Sequence, residues 1–212
     1  MQFDKPEPFV SSDLIRDVPE RMLYTGEVRI PLDEGAVLKV IEEFREQKVE
    51  AVAVCFLHAY ANPEHEQRVH DLFRQEYPEA YVSISSDVIC EFREYERLSS
   101  TVINAYIGPT MKRYLDRLED RLKENGVQAH FYICASNGGV MSVTTAKKRP
   151  LTTIASGPSA GVAGAIYVAG LSNVHDLLTM DIGGTSVDVC LVRDGEPTIT
   201  SVTRVAGFPA KT

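Results

Sequence analysis

The stretch Asp181-Ile182-Gly183-Gly184-Thr185-Ser186-Val187-Asp188 has the residue types and spacing best suited to chemistry. An apolar segment, Leu177-Leu178-Thr179-Met180, delivers an aspartate; the chain turns through two glycines; hydroxyls and a second aspartate lead out along the next segment. Glycines reach positive φ and let backbone N–H groups approach an anion with no Cβ in the way. Thr185 and Ser186 add hydroxyl donors for phosphate oxygens, so Gly183, Gly184, Thr185 and Ser186 form the expected binding turn. Asp181 and Asp188 are the expected catalytic and metal-holding pair. Carboxylates can hold Mg²⁺ through water, because that ion keeps most of its hydration shell. An ordinary hairpin with a polar turn would use the same glycines, but the flanking aspartates and the preceding strand favour phosphate.

Two further glycine segments belong with it. Ser136-Asn137-Gly138-Gly139 follows a strand-like run, where ligand loops of α/β sheets sit. Ser156-Gly157-Pro158-Ser159 opens a helix of small residues; free N–H groups and the positive end of the helix dipole would suit an anion there. Asn137, Gly138, Gly139, Ser156 and Gly157 are therefore expected contacts of the same ligand. Each has a plainer reading, a turn for the first segment and a helix start pressed against a neighbour for the second.

Other reactive residues are less suggestive. His58, His65 and His70 have no metal-ligand spacing. Arg93-Glu94-Tyr95-Glu96-Arg97 could orient a substrate carboxylate, but its own glutamates favour an ion-pair network at a helix start. Cys55, Cys90, Cys134 and Cys190 form no C-x-x-C pair, and three of them sit in apolar runs, as small buried hydrophobes do.

The elements that must position these residues follow an α/β rhythm. Four prolines and Thr25-Gly26 break up the first 35 residues, around a short strand at Val28–Ile30. Asp33 is the expected cap of a helix with Val37, Val40, Ile41 and Phe44 inward. The apolar run Ala51–Leu57 suits a strand covered on both faces. Asn62 should cap a second helix opened by Pro63 and ended before Pro78, with Tyr81–Ile84 as the next strand. Helical signals then run from Arg93 to about Glu124, interrupted at Gly108-Pro109 and ended by Asn125-Gly126. Ala129–Cys134 reads as a strand and Ser159–Gly170 as a helix with a Gly161, Ala165, Ala169 stripe. Val187–Val192 and Thr198–Val202 read as strands joined around Asp194-Gly195. A domain boundary is expected between Leu171 and Asp176, giving 1–170 and 177–212.

The 212 residues carry a net charge of −8, which opposes a nucleic-acid partner. No 18-residue apolar run predicts a membrane span, and the opening Met1-Gln2-Phe3-Asp4-Lys5-Pro6 lacks the order of a secretory signal, so the expected location is the cytoplasm.

Six spaced segments share one resemblance: Phe56 to Glu66 (FLHAYANPEHE), Arg93 to Arg97, Asn104-Ala105-Tyr106, Ser136 to Gly139, Ser156-Gly157-Pro158 and Asp181 to Asp188. Together they resemble the hydantoinase A / 5-oxoprolinase / acetone carboxylase β-subunit family over nearly the whole chain. The resemblance implies an actin-like ATPase fold of the ribonuclease H-like kind, with Mg²⁺ and ATP between two lobes. Most of a first lobe and the first hairpin of the second are then present, with Asp181–Asp188 as the second phosphate loop. It implies hydrolysis of a cyclic amide of hydantoin or 5-oxoproline type, activated by phosphorylation of the amide oxygen. The same resemblance admits the β-subunit-like part of a ketone carboxylase, or a non-catalytic nucleotide-binding assembly module. Family chains are several-fold longer and carry a first phosphate loop that this sequence lacks. It therefore reads as an internal fragment, inactive alone, whose partners are the remaining segments, a partner subunit or a second copy.

Overall fold

The structure, a computed structural model, describes residues 8–200 and 202–211; the opening segment Met1–Pro6 and Ser201, inside one expected strand, lie outside them. In chain order the elements are β1 (Arg21–Met22), β2 (Val28–Ile30), α1 (Glu34–Glu46), β3 (Ala51–Val54), α2 (Glu64–Glu76), β4 (Tyr81–Ile84), α3 (Ser85–Val88) and α4 (Glu94–Glu124). They continue with β5 (Tyr132–Cys134), β6 (Val140–Ser142), α5 (Val143–Lys148), α6 (Ser156–Gly170), β7 (Leu177–Ile182), β8 (Val187–Arg193), β9 (Glu196–Pro197), β10 (Val202–Val205) and β11 (Phe208–Lys211). Two compact units form, one from residues 1–113 with 202–211 and one from 114–201. They divide within α4, whereas the boundary expected at 171–176 falls inside the second unit.

The first unit is built on a β-α-β element. β3 and β4 pair in parallel, Val52 against Val82 and Val54 against Ile84. Helix α1 starts where Asp33 Oδ1 accepts from the Ala36 N–H at 3.0 Å, as its sequence predicts. It buries Val37, Ile41 and Phe44 against Val52, Val54, Ile84 and the Val69, Leu72 and Phe73 face of α2. The apolar run 51–57 yields only four residues of strand, because the chain then turns through His58, held at φ 61°. Asn62 caps the start of α2 as expected, its Oδ1 accepting from the Glu64 N–H at 3.0 Å, although the helix opens at Glu64, one residue after Pro63. The C-terminal hairpin β10–β11, turning on Ala206-Gly207, belongs to this unit and is not among the elements expected from the sequence.

A buried polar cluster ties the carboxyl ends of β3 and β4 to α2 and α4. Glu66 and Arg97 are both fully buried. The Glu66 carboxylate accepts from the Phe56 N–H (2.8 Å), the Ser85 hydroxyl (2.6 Å) and the Ser86 N–H (2.8 Å). Arg97 donates to that same Ser85 oxygen (3.1 Å) and to the Phe56 carbonyl (2.8 Å). One hydroxyl thus stands between opposite charges. The network expected around Arg93–Arg97 is present, but its buried anion is Glu66 rather than a neighbouring glutamate; Arg93 is exposed, 3.7 Å from Glu96.

Helix α4 is continuous through Gly108-Pro109, contrary to the expected interruption. The proline removes one helical hydrogen bond, and Gly108 is where the Tyr81 ring lies against the helix. A Cβ there would fall 2.1 Å from Tyr81 Cε1. Burial pushes the Tyr81 hydroxyl up to about 12, although hydrogen bonds with Ser83 and Asn104 act the other way.

In the second unit α4 ends as Asn125-Gly126 predicts. Gly126 takes φ 74°, its N–H reaches the Lys123 carbonyl, and the Val127 N–H reaches that of Leu122. Of its expected stripe, Leu115 is buried, Met111, Leu118 and Leu122 are half-buried, and Tyr114 is exposed. β5 and β6 form a hairpin, α5 is capped by Ser142, and β7, β8 and β9 make an antiparallel sheet. Asp194-Gly195, both at positive φ, turns β8 into β9 as expected. The returning strand is Glu196–Pro197, however, and Val202 opens β10 instead of closing a strand from Thr198. Cys90 and Cys134 are exposed and Cys55 and Cys190 half-buried, so the buried role expected of the apolar-run cysteines fails outright at Cys134.

The first unit generates three predictions. Glu66→Gln and Arg97→Met should each lose about 3–5 kcal/mol in urea unfolding, since each strands a buried opposite charge; the double variant should lose less than the sum. Gly108→Ala should destabilise by about 1–3 kcal/mol by overpacking Tyr81, outweighing a helix-propensity gain of about 1 kcal/mol. Because the folded Tyr81 holds its proton more tightly, its contribution to stability is intact below pH 10 and lost as pH rises toward 12. Spectroscopic titration should find one tyrosine ionising late, and earlier in Gly108→Ala.

Candidate functional site

All three glycine segments fall in the second unit. Asn137–Gly139 is the turn of the β5–β6 hairpin. Gly138, at φ 82°, donates to the Ala135 carbonyl (3.0 Å), Gly139 donates to Asn137 Oδ1 (3.0 Å), and Ala135 donates back to the Gly139 carbonyl (2.8 Å). Both glycine N–H groups are therefore already bonded within the loop, and a ligand here would meet side chains.

The second segment lies directly against the first. The Ser159 hydroxyl, in the first turn of α6, donates to the Ser136 carbonyl at 2.7 Å. A Cβ on Gly138 would sit 3.6 Å from the Ser159 carbonyl oxygen and 3.9 Å from Ala163 Cβ. The helix start itself is left open. Its N-cap Ala155 is left-handed at φ 59° and offers no side-chain bond, and nothing approaches a Cβ on Gly157 within 4 Å. No residue of α6 is buried, and among the described residues nothing comes within 4 Å of a Cβ at the expected close-contact position Gly161.

The third segment is the turn between β7 and β8. Asp181 is paired across the ladder with Asp188, Ile182 with Val187, and the Gly183 N–H closes the turn on the Ser186 carbonyl at 2.9 Å. Neither Gly183 nor Gly184 takes positive φ, contrary to expectation. A Cβ on Gly184 would meet nothing within 4 Å, so the chain's own backbone makes no demand for glycine there. β7 packs on α6.

Paired residues of an antiparallel ladder share a face, so Asp181 and Asp188 project side by side, both exposed. Like charges directly opposite are destabilising, and a cation between them removes the cost. Among the described residues no group of three or more His, Cys, Asp or Glu could hold a metal. Two carboxylates leave most positions of an ion to water and phosphate, which suits Mg²⁺ and not zinc.

The Hydantoinase/oxoprolinase family model matches residues 97–212, and that of the Hydantoinase/oxoprolinase N-terminal region matches residues 1–77. The chain belongs to the hydantoinase/oxoprolinase family. It is 37% identical over 186 residues to the caprolactamase subunit alpha of Pseudomonas jessenii, covering 88% of this chain and 27% of that one. A nucleotide-free structure of acetone carboxylase superposes with a TM-score of 0.85 at 31% identity, over 99% of this chain and 30% of its own. The 5-oxoprolinase of Saccharomyces cerevisiae is 33% identical over 164 residues, 77% of this chain and 12% of that protein. The chain thus spans less than a third of the length of these relatives.

Of the residues expected at a site in this family member, the structure brings Asn137–Gly139 against the start of α6 and sets Asp181 opposite Asp188. Ser159, which ties the first two segments together, was missed. Its signal was a hydroxyl in the first helical turn, three residues after Ser156. Removing one member of the carboxylate pair should help the free chain: Asp188→Asn is expected to raise stability by about 0.2–1 kcal/mol. Added Mg²⁺ should raise the melting temperature of the native chain and leave that of Asp188→Asn unmoved in calorimetric scans.

Proposed function

We propose that these residues are part of an ATP-dependent hydrolase of cyclic amides, of the hydantoin or 5-oxoproline type, built on an actin-like ATPase fold. Residues 1–170 would belong to its first lobe and 177–212 would begin its second. The single observation that carries the reading is the cross-strand pair Asp181 and Asp188 beside a turn whose glycine the chain itself does not require. Bound Mg-ATP would supply the phosphoryl group that turns a stable amide oxygen into a leaving group. In this reading Asp181 and Asp188 hold the hydrated Mg²⁺. The open edge at Gly184 admits the phosphates, and Thr185 and Ser186 donate hydroxyl hydrogen bonds to them. The first turn of α6, with Ser156 and Gly157, adds free N–H groups and the helix dipole. Asn137, with Gly138 and Gly139 shaping its turn, is the loop's contact.

A second reading has the support of the acetone carboxylase match, whose TM-score of 0.85 exceeds that of the Pseudomonas jessenii caprolactamase structure at 0.80. On it the same turn would serve an ATP-dependent ketone carboxylase, with a partner subunit completing the chemistry. Both readings require the remaining family-length segments, and both suit the cytoplasm; among the described residues no helix is long and apolar enough to cross a membrane.

Titrating Mg-ATP by calorimetry against a chain restored to family length tests the nucleotide site. Binding is expected, together with its loss in Asp181→Asn; absence of binding to the restored native chain overturns the reading. Product assays with hydantoins, 5-oxoproline and small ketones then separate hydrolase from carboxylase, and binding without turnover of any of them indicates an assembly module. The 212-residue chain alone is expected to show no ATPase activity above background.

A further inference from the structure

The β7–β8 hairpin has a second face. The pairs Leu178 with Leu191, Met180 with Val189 and Ile182 with Val187 project opposite to the aspartates. All six aliphatic side chains are exposed, from 43% at Leu191 to 69% at Ile182. On the other face Val192 is buried and Leu177, Thr179 and Cys190 are half-buried, consistent with the packing of α6 there. The uncovered face is aliphatic over three consecutive rungs and carries no charge until Arg193 at its end. β7 is also an edge strand of its sheet. A contiguous apolar surface of this kind marks a contact, and a strand that is apolar toward both sides belongs inside a layered α/β structure.

We infer that this face is the seat of the part of the family-length protein lying outside these 212 residues, which covers it with the apolar side of a further layer. The length supports that occupant: the relatives hold more than two thirds of their residues outside the matched region, enough to supply it. The covering layer would fix the hairpin from behind and so steady the turn between Asp181 and Asp188. The inference rests on the family-length reading above, but not on nucleotide binding.

Met180 is a native probe of this surface, since oxidation of methionine follows its exposure. Peroxide footprinting by mass spectrometry would be run on the 212-residue chain and on the same residues joined in frame to the remaining segments of a family relative. Met180 should oxidise freely in the first and at least about tenfold more slowly in the second, with buried Met22 slow in both. Equal rates at Met180 overturn the inference. So does protection already present in the 212-residue chain and relieved by dilution, which would assign the face to a second copy. A variant that folds poorly does not obscure the outcome, because the probe is the native side chain. Loss of Mg-ATP binding in Asp181→Asn, with Met180 still protected, would separate failure at the nucleotide site from failure at this face.

Discussion

The register of β7 against β8 is the constraint on which the candidate site depends. Side chains alternate with a period of two, so pairing Asp181 with Asp188 puts both carboxylates on one face and six aliphatic residues on the other. A slip of one residue would bring the acids to the apolar face and the aliphatics against α6. The turn Gly183–Ser186 holds that register with its Gly183–Ser186 hydrogen bond, which also fixes the acidic pair at the mouth of the turn. One local feature thus sets the site and the sheet together. The proximity of the two acids is a cost that the hairpin bears without compensation from its own residues.

The first unit resolves a different electrostatic problem. Burying Glu66 and Arg97 removes two charges from water, and their mutual attraction offsets this only with good hydrogen bonding. Two backbone N–H groups and one hydroxyl donate to the carboxylate, while the guanidinium reaches a carbonyl and the same hydroxyl and leaves its buried Nε without a partner among the described residues. The cluster joins the loop after β3, the start of α2, the end of β4 and the start of α4. These segments are far apart in sequence, and a hydrophobic contact would not specify their relative orientation so narrowly.

Much of this was legible in the residues. Asp33, the apolar spacing of α1 and α2, the pairing-competent runs at β3 and β4, and the Asn125-Gly126 stop all act locally, and local signals survive into the fold. What failed was decided by contacts distant in sequence. Gly108-Pro109 looks like a break, but the glycine is there to admit Tyr81, 27 residues earlier, and the helix passes through. Strand lengths were overestimated at 51–57 because an apolar residue serves a half-buried turn as well as a strand. The β10–β11 hairpin went unseen because Ala206-Gly207 is a weak turn signal between short segments. At the site, the aspartates and glycines were identifiable from spacing, whereas the tie from Ser159 to Ser136 needs the helix and loop to be in contact first.

Gly184 carries the argument furthest. A glycine is required where φ is positive or where another group comes too close for a Cβ. Gly138 meets the first condition and Gly108 the second, and both are explained inside the chain. Gly184 meets neither: its φ is not positive and its Cβ position is empty. Left uncompensated, a glycine costs conformational entropy on folding, and in a two-strand turn flanked by acids it adds nothing that serine or asparagine would not. What would make it necessary is a group approaching from outside the chain, close to backbone N–H donors and beside two carboxylates. In the proposed reading a phosphate accompanied by a divalent ion would fill that role, the anion meeting the open edge at Gly184 while its cation would answer the repulsion between Asp181 and Asp188.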